Sequence, residues 1–197
     1  MQEEKEIVLD TRPDRDSRLE LLFIRHGMTE GNRQHRYIGS GTDEGLCPEG
    51  RAALSGFSYP MPELLFASPM KRCLETAEIQ FPGKEIRIVP ELRESDFGLF
   101  ENKNHEELSE DPLYQAWIDS GGQMAFPGGE SREETRDRIL RGFRRTLAAC
   151  LREKIRYAAF VVHGGIIMNL MDAYGLPKKS FYDWQVKNGE GIRAYLQ

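Results

Sequence analysis

Only three cysteines occur in 197 residues, at positions 47, 73 and 150, and no two are spaced C-x-x-C. An odd number cannot pair completely within one chain, so free thiols in a reducing cytoplasm are the expectation. None sits in a Gly-rich turn with a base beside it, which sets aside a cysteine nucleophile. Histidine is also scarce. The four residues, at 26, 35, 105 and 163, lack metal-ligand spacing, so neither metal nor cofactor is expected. No apolar run approaches 18 residues (about the least a membrane-spanning helix needs), so no membrane segment is expected. The N-terminal stretch MQEEKEIVLDTRPDRDSRLE is charged and has no apolar core, unlike a secretory signal. Positive charge is not in excess either. The chain holds 27 Lys+Arg against 32 Asp+Glu, a net of −5, which argues against bulk nucleic-acid binding. A local basic cleft stays compatible with that balance. Internal repeats and low-complexity tracts are absent.

The length suits one domain. Residues 1–18 read as an N-terminal extension that frays or packs as a peripheral strand, and residues 19–197 read as a single domain. Leu21-Leu22-Phe23-Ile24 is a short continuous apolar run, as a strand buried on both faces requires. Leu64–Ala67, Ile86–Val89 and Ala158–Val162 repeat that signature, and Ile192–Leu196 is a last strand candidate. Between them lie a Gly-rich loop over 31–48 and a short helix from Pro48. A second helix is expected from Ser68 and Pro69 to Gln80, with Ser68 as its cap. Residues 91–103 look irregular. Asn104 with Glu107, and Ser131 with Glu134, have capping-box spacing. They predict a helix to about Ile118 and a long one with Ile139, Leu140, Phe143, Leu147 and Leu151 on its stripe. A glycine-rich loop separates the two, and a last helix ends near Tyr174. Alternating strands and helices define an α/β three-layer sandwich with a mostly parallel sheet.

In such sheets ligands bind beyond the carboxyl ends of the strands. Three of these ends carry polar groups that suit one task. They are Arg25-His26-Gly27, Ser68 with Arg72 one turn later, and His163-Gly164-Gly165. Each alone is common in structural roles. Together they place two arginines and two histidines on the same side of one sheet. Guanidinium forks match phosphate oxygens. A glycine-opened helix offers free N–H groups to an anion and lets it come close.

Four blocks carry a family resemblance: LLFIRHGMTEGN (21–32), FASPMKRCLETAEI (66–79), ELRESDFGLFE (91–101) and FVVHGGIIMNLM (160–171). In this order they resemble the histidine phosphatase superfamily, also called phosphoglycerate-mutase-like, over residues 19–197. The resemblance implies that His26 is the nucleophile that becomes phosphorylated. Arg25, Arg72 and His163 would hold the phosphoryl group, with Asn32 and the Gly164 backbone adding contacts. Glu94 would be the proton donor to the leaving alcohol. Arg36 and Thr29 match less constant pocket positions. Two departures stand out: Met28 replaces the family's usual Glu, and Cys47-Pro48 replaces a frequent Leu-Thr.

These roles agree with elementary electrostatics. Flanking cations disfavour imidazolium and keep a nucleophilic His26 neutral. They also neutralise charge on a transferring phosphoryl group. Glu94 must hold its proton near neutral pH, as a partly desolvated carboxyl does. The expected activity is hydrolysis of a small phosphate monoester through a phosphohistidine. The region 91–145 and the C-terminal KKSFYDWQVKNGEGIRAYL are most similar to α-ribazole-phosphate phosphatases of cobalamin synthesis. In that case Trp117, Tyr114 or Phe126 would cover the substrate's ring; otherwise they are core aromatics. The alternatives are a phosphoglycerate mutase, a broad-specificity phosphatase, or a binding module that has lost catalysis. Partners beyond a small phosphate ester are not indicated, and the sequence leaves the oligomeric state open.

Overall fold

A computed structural model describes residues 7–9 and 19–196. In chain order its elements are β1 (Ile7–Leu9), β2 (Leu19–Arg25), α1 (Glu30–Arg33), α2 (Pro48–Ala53), β3 (Leu64–Ala67) and α3 (Lys71–Gln80). They continue with β4 (Ile86–Ile88), α4 (His105–Leu108), α5 (Pro112–Asp119), α6 (Arg132–Arg152), β5 (Tyr157–Val162), α7 (Gly164–Tyr174), β6 (Gly175–Leu176) and β7 (Gly191–Leu196). The strands form one sheet in the order β4-β3-β5-β2-β7-β1-β6. The β4-β3-β5-β2 block is parallel throughout, and β7 closes on β2 antiparallel. The expected mostly parallel sheet is therefore present.

Alternation along the strands builds the layers. Leu19, Leu21 and Phe23 face one side with Ala158, Phe160 and Val162; α6 and α7 cover them through Ile139, Phe143, Ile167 and Leu170. Leu22, Ile24, Leu65 and Val161 face the other side, under Cys73 and Ala77 of α3. Because β2 is buried on both faces, its sequence reads as a continuous apolar run. The register aligns Phe23, Phe160 and Phe66 across three neighbouring strands. Their rings stack at 5.0 and 4.9 Å, and Phe143 packs over Phe23 and Phe160.

Four expectations are corrected. The helix expected from Ser68 starts at Lys71, with Met70 as its cap. Proline holds its preceding residue extended, and the Ser68 hydroxyl is committed to His163 at 2.7 Å. The helix expected from Asn104 to Ile118 is two helices. The Asn104–Glu107 capping box forms, but Pro112 has no N–H to continue the ladder, and Asp111 caps a new helix by accepting from Leu113 N at 2.9 Å. The loop over 31–48 begins inside α1, which carries an unforeseen capping box of Thr29 and Asn32. On α6 the apolar stripe ends at buried Cys150, while Leu151 is exposed. Of the N-terminal extension, Ile7–Leu9 is a strand paired with β7 and β6; the rest of 1–18 lies outside the described residues.

Candidate active site

β2, β3 and β5 are neighbours and parallel, so their carboxyl ends meet at one edge of the sheet. His26 N donates to Val162 O at 2.9 Å and Ser68 N donates to Val161 O at 3.0 Å. The rings of His26 and His163 lie 5.1 Å apart, tilted by 66°, and both are buried.

The partner of each ring nitrogen fixes its tautomer. His26 Nδ1 lies 2.8 Å from Gly27 O. A carbonyl only accepts, so Nδ1 carries the proton and Nε2 presents its lone pair. Burial, reinforced by the nearby Arg72 and Arg25 charges, holds the His26 pKa well below its usual value. His163 is held low for the same reasons, with His26 adding to them. Arg72 Nε donates to His163 Nδ1 at 3.3 Å, so His163 Nε2–H donates to Ser68 Oγ.

Arg72 is wholly buried. Its remaining donors reach only carbonyls: Thr42 O and Gly39 O at 3.0 Å, and Ile38 O at 3.3 Å. Arg25 donates from Nη1 to Val186 O at 2.9 Å, and its Nε is buried with no partner. Burial lowers the Arg25 pKa and the Glu94 charge opposes that. Among the described residues neither arginine has a carboxylate within ion-pair distance. Buried cations without counter-charge cost several kcal/mol, which a bound anion offsets.

Thr29 and Asn32 reach the same edge through their reciprocal cap. Asn32 N donates to Thr29 Oγ1 at 3.2 Å, and Thr29 N donates to Asn32 Oδ1 at 3.4 Å. Asn188 Nδ2 donates to Asn32 Oδ1 at 3.1 Å and to His26 O at 3.0 Å. With its oxygen occupied, Asn32 turns its amide nitrogen to other partners. Thr76 Oγ1 accepts from Gly27 N at 2.9 Å and donates to Arg72 O at 2.6 Å.

Glu94 is buried, and burial raises its pKa against the pull of Arg72 and Arg25. Arg138 holds the chain that leads into it, donating to Glu91 O at 2.8 Å and Arg93 O at 3.0 Å. Glu130 fixes Arg138 in turn, at 2.6 Å. His163 caps α7, so Gly164 and Gly165 open that helix. A Cβ on Gly165 would stand 2.7 Å from Glu94 Oε1, so any larger residue there would push the carboxyl aside.

From Glu94 and Gly165 a cavity of about 380 Å³ runs outward, with Tyr37, Phe97, Trp117, Phe126 and Tyr182 in its walls. Trp117 and Phe126 thus line a cavity, whereas Tyr114 is a core residue, buried and bonded to Tyr37 Oη at 2.9 Å. Arg36 is committed elsewhere, contrary to its expected pocket position. It grips Glu107 bidentately at 2.8 and 3.0 Å and donates to Gln34 and the Asn102 carbonyl. The two departures from the family pattern meet each other: Cys47 N and Sγ both donate to Met28 O, at 3.1 and 3.4 Å.

The sequence reading missed Asn188, Thr76, Arg138 and Glu130. Each acts through a contact distant along the chain. Only Asn188 had a local cue, the turn before Gly189, whose φ is +82°. Among the described residues no three His, Cys, Asp or Glu side chains gather as metal ligands, and no helix is long and apolar enough to cross a membrane.

Residues 21–193 match the histidine phosphatase superfamily (branch 1), and the chain belongs to it. A bifunctional protein of Mycobacterium tuberculosis is 33% identical over 131 residues, covering 62% of this chain and 35% of that protein. The matched part is thus about a third of that relative's length. The adenosylcobalamin/alpha-ribazole phosphatase of Escherichia coli is 26% identical over 184 residues, 87% of either chain. Among solved structures, a phosphoglycerate mutase from Thermus thermophilus superposes with a TM-score of 0.69 at 31% identity, covering 89% of this chain and 92% of that one.

Proposed function

We propose that the protein is a phosphomonoesterase working through a phosphohistidine on His26. The observation that carries this reading is the locked His26 tautomer, which leaves Nε2 free near buried Arg72 and partly buried Arg25, neither of them ion-paired among the described residues. Nε2 attacks phosphorus and the ester P–O bond breaks. Glu94, whose protonated form burial favours, gives its proton to the departing oxygen. Water then attacks the phosphohistidine, Glu94 takes the water's proton, and the P–N bond breaks. Arg25, Arg72, Asn32 and the Gly164 N–H hold the phosphoryl oxygens, and His163 joins them by turning its Nε2–H from Ser68 Oγ to the substrate. Thr29 acts by holding Asn32.

Hydrolysis is favoured over a mutase reaction by the cavity beside Glu94. A phosphoglycerate carries a carboxylate that needs a cation, and the one basic residue in those walls among the described residues, Arg132, has its guanidinium over the Phe181 ring, 5.0 Å from its centroid. α-Ribazole 5′-phosphate, named through the E. coli relative, is a candidate ester within this reading. Rapid acid-free quenching with substrate should trap a phosphoryl group on His26 that is labile in acid and stable in alkali. Peptide mass spectrometry that finds it on another residue overturns the mechanism.

The Gly165 contact gives a second test. Gly165→Ala should push the Glu94 carboxyl aside and lower kcat roughly 10–100-fold, since ångström-scale misplacement costs about 10²-fold. Stability should hold, because alanine gains up to about 1 kcal/mol over glycine in a helix. Steady-state rates and a thermal melt check both parts.

A further inference from the structure

The segment that seats Arg72 has no regular structure of its own. The carbonyls of Ile38, Gly39 and Thr42 hold the guanidinium at 3.3, 3.0 and 3.0 Å. They belong to Ile38-Gly39-Ser40-Gly41-Thr42, which lies in neither helix nor strand. Two glycines in five residues leave such a chain many conformations unless something fixes it. A guanidinium seated on these carbonyls is only as well placed as the segment that carries them.

The Glu101 carboxylate fixes that segment. Its Oε2 accepts from Gly39 N at 3.1 Å and from Thr42 Oγ1 at 2.7 Å, and its Oε1 accepts from Gly41 N at 3.1 Å. Oε1 also accepts from Phe97 N at 3.2 Å, and Ser40 N donates to Ser95 O at 2.9 Å. The same carboxylate thus joins the carbonyl segment to the chain just after Glu94. Bonds to an ionised acceptor are stronger than those between neutral groups. The approach is close, since a Cβ on Gly39 would run into Glu101 Oε1 and Ser95 O.

One peptide unit lies between the two charges. The Ile38 carbonyl accepts from Arg72 Nη2, and the Gly39 N–H of the same unit donates to Glu101 Oε2. A planar trans peptide points its C=O and N–H in opposite directions. Its positive end therefore meets the carboxylate and its negative end meets the guanidinium, so each charge polarises the bond to the other. Glu101 acts on Arg72 without touching it, and it takes no guanidinium N–H away from an incoming anion.

Resting on the phosphomonoesterase reading, we propose that Glu101 is a positioning residue for the phosphate grip. It acts on Arg72 through the Ile38–Gly39 peptide and ties that grip to the chain that carries Glu94.

Glu101→Gln keeps the side chain's shape and removes its charge. Either orientation of the new amide sets its NH₂ against a backbone N–H, that of Gly39 or those of Gly41 and Phe97. Two readouts follow: calorimetry with inorganic phosphate, and kcat/KM with p-nitrophenyl phosphate. Phosphate binding should weaken at least about fivefold and kcat/KM should fall roughly 10–100-fold, as for an ångström-scale misplacement. Placed in an Arg72→Ala background, Glu101→Gln should cost less than about threefold more, because the group it acts through is gone. Losses that multiply overturn the inference, since a merely structural Glu101 would act independently of Arg72. Unchanged phosphate binding in folded Glu101→Gln, checked by a thermal melt, overturns it too. If that variant does not fold, Thr42→Val decides, because it deletes one donor to Glu101 at nearly constant size. It should weaken phosphate binding several-fold, and wild-type binding overturns the inference. If the wild-type protein binds phosphate but hydrolyses no ester, the phosphatase reading fails and the binding comparison still judges Glu101. If Glu101→Gln hydrolyses esters as the wild type does, the role of Glu101 fails and the phosphatase reading stands. A wild-type protein that binds no phosphate overturns both.

Discussion

His26→Ala should abolish turnover, lowering kcat on the order of 10⁵-fold, because in the proposed mechanism it removes the covalent nucleophile and with it the whole route. That loss corresponds to about 7 kcal/mol of barrier. The reason lies in how little else on the sheet edge could replace it. His163 is the other imidazole there, and both of its nitrogens are engaged, one accepting from Arg72 and one donating to Ser68. Cys73 lies 3.5 Å from His163, but burial pushes its thiol up to about 12, so it offers no thiolate. The substituted protein should still fold, since His26 sits at a strand end and its backbone bond to Val162 survives. Phosphate release with any good substrate, beside a circular dichroism spectrum, gives the answer. Retention of more than about a tenth of the activity would mean that His26 is not the nucleophile, since one tenfold step is only about 1.4 kcal/mol.

Glu94→Gln should cost roughly 10²–10⁴-fold on an alkyl phosphate, the usual range for losing a general acid. The pH dependence carries the sharper signature. Burial raises the Glu94 pKa and lowers that of His26, and both shifts favour a neutral His26 beside a protonated Glu94. Activity should fall with rising pH as Glu94 ionises, and fall with decreasing pH as His26 protonates. The variant should lose the alkaline limb and keep the acidic one. With p-nitrophenyl phosphate the leaving group departs without needing a proton. The variant should then release one equivalent of nitrophenol in a burst and stall, because no base activates water against the phosphohistidine. A smaller than threefold loss with no burst, on the order of 0.6 kcal/mol, would remove Glu94 from the chemistry.

What the sequence revealed, and what it hid, divides along physical lines. β2 and β5 were legible because burial on both faces demands an unbroken apolar run, and such a run is visible without knowing its partners. Their ends carry His26 and His163, so recognising the strands located the cluster. The capping boxes at Asn104 and Ser131 were legible because they are local and reciprocal. The start of α3 was not, because Ser68 had two possible uses and a residue 95 positions away decided between them. Arg36 was misplaced for the same reason, since Glu107, 71 positions on, holds it. Asn188 and Arg138 act on the site across 162 and 45 positions; the turn at Gly189 marks Asn188 only as a turn residue, and nothing nearby marks Arg138.

The histidine cluster and the cavity beyond Glu94 stand on different kinds of structure. His26, Ser68 and His163 hang from three hydrogen-bonded neighbouring strands, where a shift in one strand would shift the others. The outer cavity walls come in part from the loop after α5 and the single turn at Phe181–Trp184, beside residues of α6 and α7. Loops of this kind accept substitution and insertion that a central strand refuses. That separation makes the outer cavity, and not the histidine cluster, the place to engineer a new preference.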